Sequence, residues 1–264
     1  MNGTDLKNIT LKVTTLAKSV GSFIRTEGHN FDLNRIEYKG KNDMVSYVDK
    51  ESEKLLVAGL KVILPEAGFI TEEATEQINS ASLCWVIDPL DGTTNFLHGL
   101  PPFSISIALM ENNVLMAGVV YEVTKDECFY AWKDGGAFCN EKSIRVSPIN
   151  TLNKSLIVTG FPYSLLDKET AFFEIMKDFV RNTHGMRRLG SAAVDLSYVA
   201  CGRFEAYYEF NLNIWDVAAG ILILQEAGGK VTDFSGGNKY LDGSEILACG
   251  SVHAEALAVI QKYW

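Results

Sequence analysis

The feature that most constrains the fold is an unbroken apolar segment that runs into an acidic turn. Residues 82–87, SLCWVI, carry no charged side chain. A strand that is apolar along its whole length is typically buried on both faces of its sheet. The turn that follows, DPLDGTTNF at Asp88–Phe96, holds two aspartates and a glycine. The fold therefore needs covering layers on both faces of this strand, and polar groups stand at its carboxyl end.

The residues before this strand predict two helices. Apolar residues recur at helical spacing over residues 4–26, which predicts a long amphipathic helix. A polar, basic turn is expected at 37–52, and a second helix from Asp49 toward Pro65. The short strand GFIT then ends at Glu72 and Glu73. Acidic residues thus follow two predicted strands and stand at the start of a helix.

From residue 103 to residue 146 the pattern changes to short strands separated by Asn, Asp and Gly turns, which predicts an antiparallel meander. After Pro148 helices and strands alternate again. One helix is predicted from residue 166, a buried helix WDVAAGILILQEAGG at 215–229, and a final helix SVHAEALAVIQKYW. We expect an α+β or mixed α/β fold, with helices layered on sheets. A single compact domain with two lobes, 1–149 and 150–264, fits the change of pattern near residue 150.

Charge and composition exclude several classes of protein. The chain has 24 basic and 33 acidic residues, a net charge of −9. Such a chain has no general electrostatic reason to bind nucleic acid polymers or an anionic membrane. The sequence shows neither a spanning apolar segment nor a signal-peptide profile, so we expect a cytoplasmic protein. The five cysteines and four histidines lack metal-ligand spacing, which predicts reduced thiols and argues against a zinc site.

Each acidic residue has a structural alternative. Asp49 and Asp216 are also explained as helix N-caps, and Asp88 and Asp91 as turn residues. The two glutamates would suit an exposed loop. Arg187 and Arg188 either attract an anionic substrate or lie on the face of a strand.

Taken together, the acids favour a metal site. Two carboxylates at about 4 Å repel by about 4 kcal/mol at an effective dielectric of 20, so an ionised cluster needs cations. Oxygen ligands select Mg²⁺, Mn²⁺ or Ca²⁺. Residues 92–95, GTTN, follow the strand and start a helix whose free amides suit a phosphate. Metal-assisted hydrolysis of a phosphate ester is the reaction that this chemistry indicates.

Other phosphate chemistries lack their motifs. The chain contains neither a GxxxxGK[ST] loop nor a GxGxxG turn after a strand. A haloacid-dehalogenase type of phosphatase needs a nucleophilic Asp two residues before its second Asp, and here that position is Pro89. Water is therefore the expected attacking group.

The motifs resemble those of the inositol monophosphatase family. DPLDGTTNF, followed by WDVAAG at Trp215–Gly220, is similar to the signature pair of that family. TEE at Thr71–Glu73, DMVSYVD at Asp43–Asp49 and GSAA at Gly190–Ala193 also fit. The matching segments keep the family order from about residue 41 to residue 229, nearly the whole chain.

This resemblance implies three sets of site residues. The implied catalytic residues are Asp49, Thr93 and Glu72. The implied Mg²⁺ ligands are Glu72, Asp88, the carbonyl of Leu90, Asp91 and Asp216. The implied substrate contacts are Asp91, Gly92, Thr93, Gly190, Ala192, Glu209 and Asp216. Thr93 and Asp49 would orient the attacking water, and the amides of Gly92 and Thr93 would hold phosphate oxygens.

The resemblance also implies a layered αβαβα sandwich, a homodimer, and two to three Mg²⁺ ions per site. Mn²⁺ is a possible substitute, and Li⁺ or Ca²⁺ are expected inhibitors. Inositol monophosphate is the expected small-molecule substrate. The alternatives are the 2′-phosphate of NADP(H), fructose 1,6-bisphosphate and a 3′-phosphoadenosine nucleotide. An alternative of another class is a regulatory or binding protein with weak phosphatase activity.

Overall fold

Two β-sheets and the helices around them make up the part of the chain that the computed structural model describes. That part comprises residues 3–29, 36–40, 43–74, 82–161, 168–242 and 244–264. Its α-helices are α1 (Gly3–His29), α2 (Tyr47–Ile63), α3 (Thr93–Leu97), α4 (Glu169–Asn182), α5 (Ala192–Ala200), α6 (Ile214–Glu226) and α7 (His253–Gln261). Its first strands are β1 (Ile36–Gly40), β2 (Asp43–Ser46), β3 (Gly68–Thr71), β4 (Leu83–Asp91), β5 (Ser104–Glu111), β6 (Val114–Glu122) and β7 (Glu127–Trp132). The later strands are β8 (Ala137–Cys139), β9 (Lys142–Ser143), β10 (Leu156–Thr159), β11 (Gly185–Arg187), β12 (Ala206–Phe210), β13 (Lys230–Thr232) and β14 (Glu245–Cys249).

The first large sheet has seven strands in the order β3-β4-β5-β6-β7-β8-β9. Strands β3 and β4 pair in parallel, and the other neighbours pair antiparallel. This confirms the predicted meander after residue 103. Strand β4 is buried from Cys84 to Leu90, as its unbroken apolar pattern predicts.

The second large sheet has five strands in the order β11-β10-β12-β14-β13. Strand β10 is parallel to both of its neighbours, whereas β14 is antiparallel to β12 and β13. The strands and helices predicted after Pro148 are all found. The first residues of the helix predicted from residue 166 lie outside the described residues, and α4 is described from Glu169.

The helices form three layers around these two sheets. Helices α1 and α2 cover one face of the seven-stranded sheet, and α6 with α5 fills the space between the sheets. Helices α4 and α7 cover the outer face of the five-stranded sheet. The fold is thus a mixed α/β sandwich with the expected order αβαβα. Within the described ranges, no helix is both long and apolar enough to cross a bilayer.

Two local predictions were wrong. The polar segment expected to be a turn contains the antiparallel hairpin β1-β2, because backbone groups make such a ladder and the side-chain pattern does not reveal it. Helix α2 begins at Tyr47, two residues before Asp49, because Ser46 provides its N-cap.

The five cysteines are free thiols, as predicted.

Candidate active site

An irregularity at the end of β4 positions the two aspartates of the DPLD turn. Asp88 pairs with Ser106 and Asp91 with Ser104, so β4 carries one more residue than β5 across this bulge. Pro89 has no backbone N–H to lose from the ladder and is tolerated at a bulge. On a regular strand residues three apart point to opposite faces. The bulge removes that restriction, and Asp91 lies close enough to raise the pKa of Asp88 through its charge.

Asp49 and Asp216 are held by the same local device. Each is the third residue of its helix and accepts a hydrogen bond from the backbone N–H of the cap, Ser46 N to Asp49 Oδ2 at 2.8 Å and Asn213 N to Asp216 Oδ2 at 2.6 Å. Both are therefore partners in capping boxes rather than the N-caps themselves. This corrects the N-cap alternative, and it leaves the second oxygen of each carboxylate outside the capping hydrogen bond.

Thr93 connects Asp49 to the turn after β4. Its hydroxyl stands 2.9 Å from Asp49 Oδ1 and 2.9 Å from the carbonyl of Leu90. A hydroxyl has one hydrogen to donate, so the two oxygens compete for it. Leu90 in turn donates its N–H to Asp88 Oδ1 at 2.9 Å. The predicted water-orienting pair and two predicted metal ligands thus lie in one hydrogen-bonded chain.

Asp91 joins the two halves of the chain. Its Oδ2 accepts hydrogen bonds from Ser191 Oγ at 2.6 Å and from the N–H of Ala193 at 2.8 Å, both at the start of α5. Ser104 Oγ of β5 lies 3.5 Å from the same oxygen. Burial raises the pKa of Asp91 to about 6, against the lowering effect of these hydrogen bonds. A residue of the first sheet is thereby fixed to the helix layer between the sheets.

The structure distinguishes the two glutamates that follow β3. Glu72 is hydrogen-bonded to Asp88, and its charge raises the pKa of that residue. The backbone N–H of Glu73 instead donates to Glu53 Oε2 at 2.7 Å. Glu72 is therefore the glutamate beside the DPLD turn.

Four carboxyl groups form the acidic cluster: Glu72, Asp88, Asp91 and Asp216. Burial, the charges of the other three members and the hydrogen bond with Glu72 all raise the pKa of Asp88. Burial first, and then Asp91 and Glu72, raise that of Asp216. Burial also raises the pKa of Asp49. The cluster is thus poised to gain a cation, because a positive charge would relieve both burial and repulsion.

The donor set of this cluster fits a hard divalent cation. All four members offer carboxylate oxygens, and Leu90 adds a carbonyl. Among the described residues no three His, Cys, Asp or Glu side chains are already arranged as a metal site. The charges that act on Asp88 and its hydrogen bond with Glu72 show that these carboxyl groups lie close together in pairs. Binding of a metal ion would therefore require Glu72 and Asp88 to give up their mutual hydrogen bond and to contact the ion instead.

Two glycines let the backbones at the site approach closely. Gly92 precedes α3 with φ +94°, and a Cβ there would stand 3.1 Å from the carbonyl oxygens of Gly190 and Pro102. Gly190 has φ +95°, and a Cβ there would meet the guanidinium of Arg188 and the amide of Asn95. Both positions need a left-handed backbone that glycine adopts without strain.

A cavity of ≈ 80 Å³ opens beside this turn, space for several water molecules. All seven predicted substrate contacts line it: Asp91, Gly92, Thr93, Gly190, Ala192, Glu209 and Asp216. Asp49, Glu72, Asp88 and Leu90 are not among its lining residues. Asp49 and the Leu90 carbonyl are linked to the cavity through the Thr93 hydroxyl, which lies within hydrogen-bond distance of both. Asp88 is linked to it through the charges of Asp91 and Asp216 and, through its hydrogen bond, to Glu72.

Glu209 forms part of the inner wall of this cavity. Its Oε2 accepts a hydrogen bond from the Tyr207 hydroxyl at 2.7 Å. Burial raises the pKa of Glu209 to about 7, while Tyr207 and the charge of Arg188 lower it. Gly160 lies against this carboxylate, because a Cβ there would come within 2.1 Å of it.

Sequence reasoning missed two residues of this region, Asn95 and Asp195, and left the role of Arg188 open. Asn95 donates to the carbonyls of Pro102 and Leu189 at 2.7 and 2.8 Å, which ties the turn to the segment before Gly190. Arg188 lines the cavity with its guanidinium carbon 5.6 Å from the centre of the Phe161 ring. Asp195 also lines it, and no sequence pattern identifies it, because it lies within an apolar helix. Asn95 belongs to the DPLDGTTNF motif and could have been found there.

Comparisons with known proteins agree with this architecture. The model of the inositol monophosphatase family matches residues 5–264. A protein named putative Nus factor SuhB from Neisseria meningitidis serogroup B is 43% identical over 252 residues, 94% of this chain and 95% of that protein. An inositol-1-monophosphatase from Rhizobium meliloti is 38% identical over 257 residues, 96% of each.

A solved structure also has the same fold. The crystal structure of extragenic suppressor protein suhB from Bartonella henselae superposes with a TM-score of 0.90 at 36% sequence identity. The match covers 97% of this chain and 98% of that one. The family model spans almost the entire chain, and both relatives exceed 30% identity over nearly their whole length. This chain is therefore a member of the inositol monophosphatase family.

Proposed function

We propose that this protein is a Mg²⁺-dependent phosphomonoesterase that hydrolyses inositol monophosphate to inositol and phosphate. The observation that carries the proposal is the acidic cluster of Glu72, Asp88, Asp91 and Asp216, in which burial and neighbouring carboxylates raise the pKa of Asp88 and of Asp216. Membership of the family supports the reaction class. Water would add to phosphorus, the ester P–O bond would break, and the leaving alcohol would take a proton.

The acidic cluster, together with the Leu90 carbonyl, would hold two to three Mg²⁺ ions. When bound, Mg²⁺ supplies a Lewis acid that polarises the phosphate and favours ionisation of water. The carboxylates supply the neutralising charge, and their burial strengthens that attraction. Mn²⁺ as a substitute and Li⁺ or Ca²⁺ as inhibitors belong to the same proposal.

Thr93 and Asp49 would orient the attacking water. When the Thr93 hydroxyl donates its hydrogen to Asp49 Oδ1, its lone pairs are left to accept a hydrogen from water. Asp49 is fixed by Ser46, which donates two hydrogen bonds to its Oδ2. The backbone N–H of Ser46 donates at 2.8 Å and its hydroxyl at 2.6 Å. A rigidly held acceptor gives the water one orientation, which lowers the entropic part of the barrier.

The cavity wall would bind the two halves of the substrate. Backbone amides of Gly92 and Thr93 would hold phosphate oxygens at the start of α3. Side chains and backbone groups around the cavity would contact hydroxyls of the alcohol; these are Asp91, Gly190, Ala192, Glu209 and Asp216. The left-handed backbone at Gly92 allows the close approach that such contacts need.

Release of inorganic phosphate from a panel of esters, with and without Mg²⁺, tests this function. The panel holds inositol monophosphate, fructose 1,6-bisphosphate, NADP(H) and a 3′-phosphoadenosine nucleotide. We expect fastest Mg²⁺-dependent release from inositol monophosphate. Asp88→Asn should abolish it while the circular dichroism spectrum stays unchanged. Normal turnover by that variant would contradict the assigned ligand set.

The names of relatives support a second candidate function. A relative that is 43% identical is named a putative Nus factor. We therefore also propose that this protein binds a macromolecular partner, in a role separate from hydrolysis. A pulldown with the wild type and with Asp88→Asn tests it. A stoichiometric macromolecular partner retained by both proteins would support a role separate from hydrolysis, and the absence of any partner would contradict it.

Three further expectations remain part of the proposal. We infer a homodimer, a cytoplasmic location, and a division near residue 150 into two lobes, 1–149 and 150–264. Sedimentation would measure the first, and limited proteolysis would locate the last. The bridge between Asp91 and the start of α5 predicts that the lobes separate only on global unfolding.

A further inference from the structure

Asp195 is a carboxyl group buried at the start of α5. It lies in the first turn of α5 and is 1% exposed. Among the described residues, neither of its carboxylate oxygens has a hydrogen-bond partner. The residue lines the cavity that holds the predicted substrate contacts. A buried polar group of this kind weakens the fold unless something supplies its hydrogen bonds.

The contacts around Asp195 provide no structural reason for an acid at this position. An acid in the first turn of a helix complements the helix dipole. Here the amides at that end have other partners, because Ala193 N donates to Asp91 and Val194 N to Ser191. Arg188 lowers the pKa of Asp195 through its charge but makes no hydrogen bond to it.

The neighbours of Asp195 define what could supply its hydrogen bonds. Glu209 and Asp91 lie close enough to raise its pKa, after burial as the largest cause. Glu209 is itself 7% exposed and lines the same cavity. A wall of carboxyl groups binds neutral hydroxyls, which donate to carboxylate oxygens. The same wall repels a second phosphate at that position.

We propose that Asp195 is a specificity-determining residue, which accepts a hydrogen bond from a hydroxyl of the leaving alcohol and acts beside Glu209. The inference rests on the proposed function, and it deepens the substrate class. The preferred ester is the monophosphate of a neutral polyol. An alcohol with a second phosphate against this wall is disfavoured.

Comparison of two substrates tests the proposal. The variants are Asp195→Ala and the conservative Asp195→Asn. The control is Ser197→Ala, on the same buried helix, whose hydroxyl donates to the Ala193 carbonyl and which is not among the residues that line the cavity. The measured quantity is kcat/KM for inositol monophosphate divided by kcat/KM for phenyl phosphate, which has no hydroxyl.

Asp195→Ala should lower this ratio by roughly 10- to 100-fold, the effect of one lost hydrogen bond to a charged group. Asp195→Asn should lower it less, because the amide oxygen still accepts. In Ser197→Ala the ratio should stay within about twofold. Deoxy analogues of inositol monophosphate locate the hydroxyl, since the analogue that lacks it should be insensitive to Asp195→Ala. Equal losses for both substrates would overturn the proposal.

A second measurement separates recognition from a structural role. Without substrate, Asp195→Asn should melt at or above the wild-type temperature, because a neutral amide costs less to bury than a group that can ionise. Loss of stability without a change in the substrate ratio would overturn the proposal.

Binding separates this inference from the proposed function. Inositol alone should raise the melting temperature of the wild type and of Ser197→Ala more than that of Asp195→Ala. Equal shifts would overturn the inference. A wild type that hydrolyses no ester would overturn the proposed function instead, and the inositol shift would still decide the role of Asp195, because it requires no turnover.

Discussion

At the scale of single residues, the site aspartates divide their two oxygens between the fold and the site. Asp49, Asp91 and Asp216 each give Oδ2 to a hydrogen bond from a backbone N–H at the start of a helix. Asp88 gives Oδ1 to the N–H of Leu90. One oxygen of each carboxylate is therefore fixed by the fold, through neighbouring residues for Asp49, Asp88 and Asp216 and through α5 for Asp91. The acids are thus held at their positions by contacts that are independent of any ligand.

The contrast between the two adjacent glutamates gives the first prediction. Glu72→Gln should reduce Mg²⁺-dependent phosphate release by at least about 100-fold, because it replaces a charged ligand with a neutral amide. Glu73→Gln should stay within a few-fold of the wild type, because Glu73 is linked through its backbone to Glu53 instead. Initial rates over a Mg²⁺ titration provide the measurement. A larger loss of phosphate release in Glu73→Gln than in Glu72→Gln would mean that Glu73, and not Glu72, belongs to the acidic cluster.

The left-handed glycine at the turn gives the second prediction. Gly92→Ala should destabilise the protein by about 1–3 kcal/mol and lower activity, because strain at φ +94° adds to crowding against two carbonyl oxygens. Gly99→Ala is the matched control, since Gly99 has φ +66° but nothing within 4 Å of an added Cβ. Urea unfolding and phosphate release compare the pair. Equal effects from both substitutions would show that close approach at Gly92 is unimportant.

At the scale of elements, the two capping boxes link helix stability to the site. Ser46 Oγ lies 3.1 Å from Val48 N and 2.6 Å from Asp49 Oδ2. The same side chain thus begins α2 and holds the residue that faces Thr93. Sequence patterns that mark a helix start therefore also position a proposed catalytic carboxylate.

Removal of this cap gives the third prediction. Ser46→Ala should destabilise the protein by about 1 kcal/mol, the usual effect of a lost N-cap. It should also lower kcat more than it raises KM, because Asp49 would lose one of its fixed contacts while the cavity wall stays intact. Ser22→Ala on α1 is the control, because its exposed hydroxyl donates to the Lys18 carbonyl and accepts from Arg25, both in the same helix. A variant that loses stability but keeps its kcat would contradict the coupling.

Elements with strong periodicity could be predicted from the sequence, and local backbone devices could not. Apolar spacing identified α1, β4, the meander and α6, because burial on one or both faces determines those patterns. The hairpin β1-β2 depends on backbone pairing, and the bulge in β4 on register with β5. The acidic cluster was recognisable because its motifs are local. Asp195 was not, because only the packing of α5 against the cavity gives it a role.

At the scale of the whole molecule, the burial of His253 links pH to global stability. His253 begins α7, is 5% exposed, and lies with Nε2 2.9 Å from the Thr232 hydroxyl of β13. Burial, and then the charge of Lys230, lower its pKa from 6.5 to about 4. The folded protein therefore keeps this ring neutral at pH values where the unfolded chain binds a proton.

The sign of this effect gives the fourth prediction. Between about pH 4 and pH 6.5 the unfolded state holds more protons at His253, so its contribution to stability is present above pH 6.5 and is lost as the pH falls. Buried acids act in the opposite sense, since raised pKa values of about 6 for Asp91 and about 7 for Glu209 favour the folded state at low pH. The wild-type profile is thus a sum of opposing terms.

A difference between variants isolates the histidine from these acids. His253→Gln keeps a polar side chain and cannot titrate, so its melting temperature should fall less than that of the wild type between pH 6.5 and pH 4. His98→Gln, at an exposed position, should follow the wild-type profile. Parallel profiles for all three proteins would mean that His253 takes up its proton without unfolding. In that case the protonated ring would stay in place, with its Nε2–H donating to the Thr232 hydroxyl oxygen.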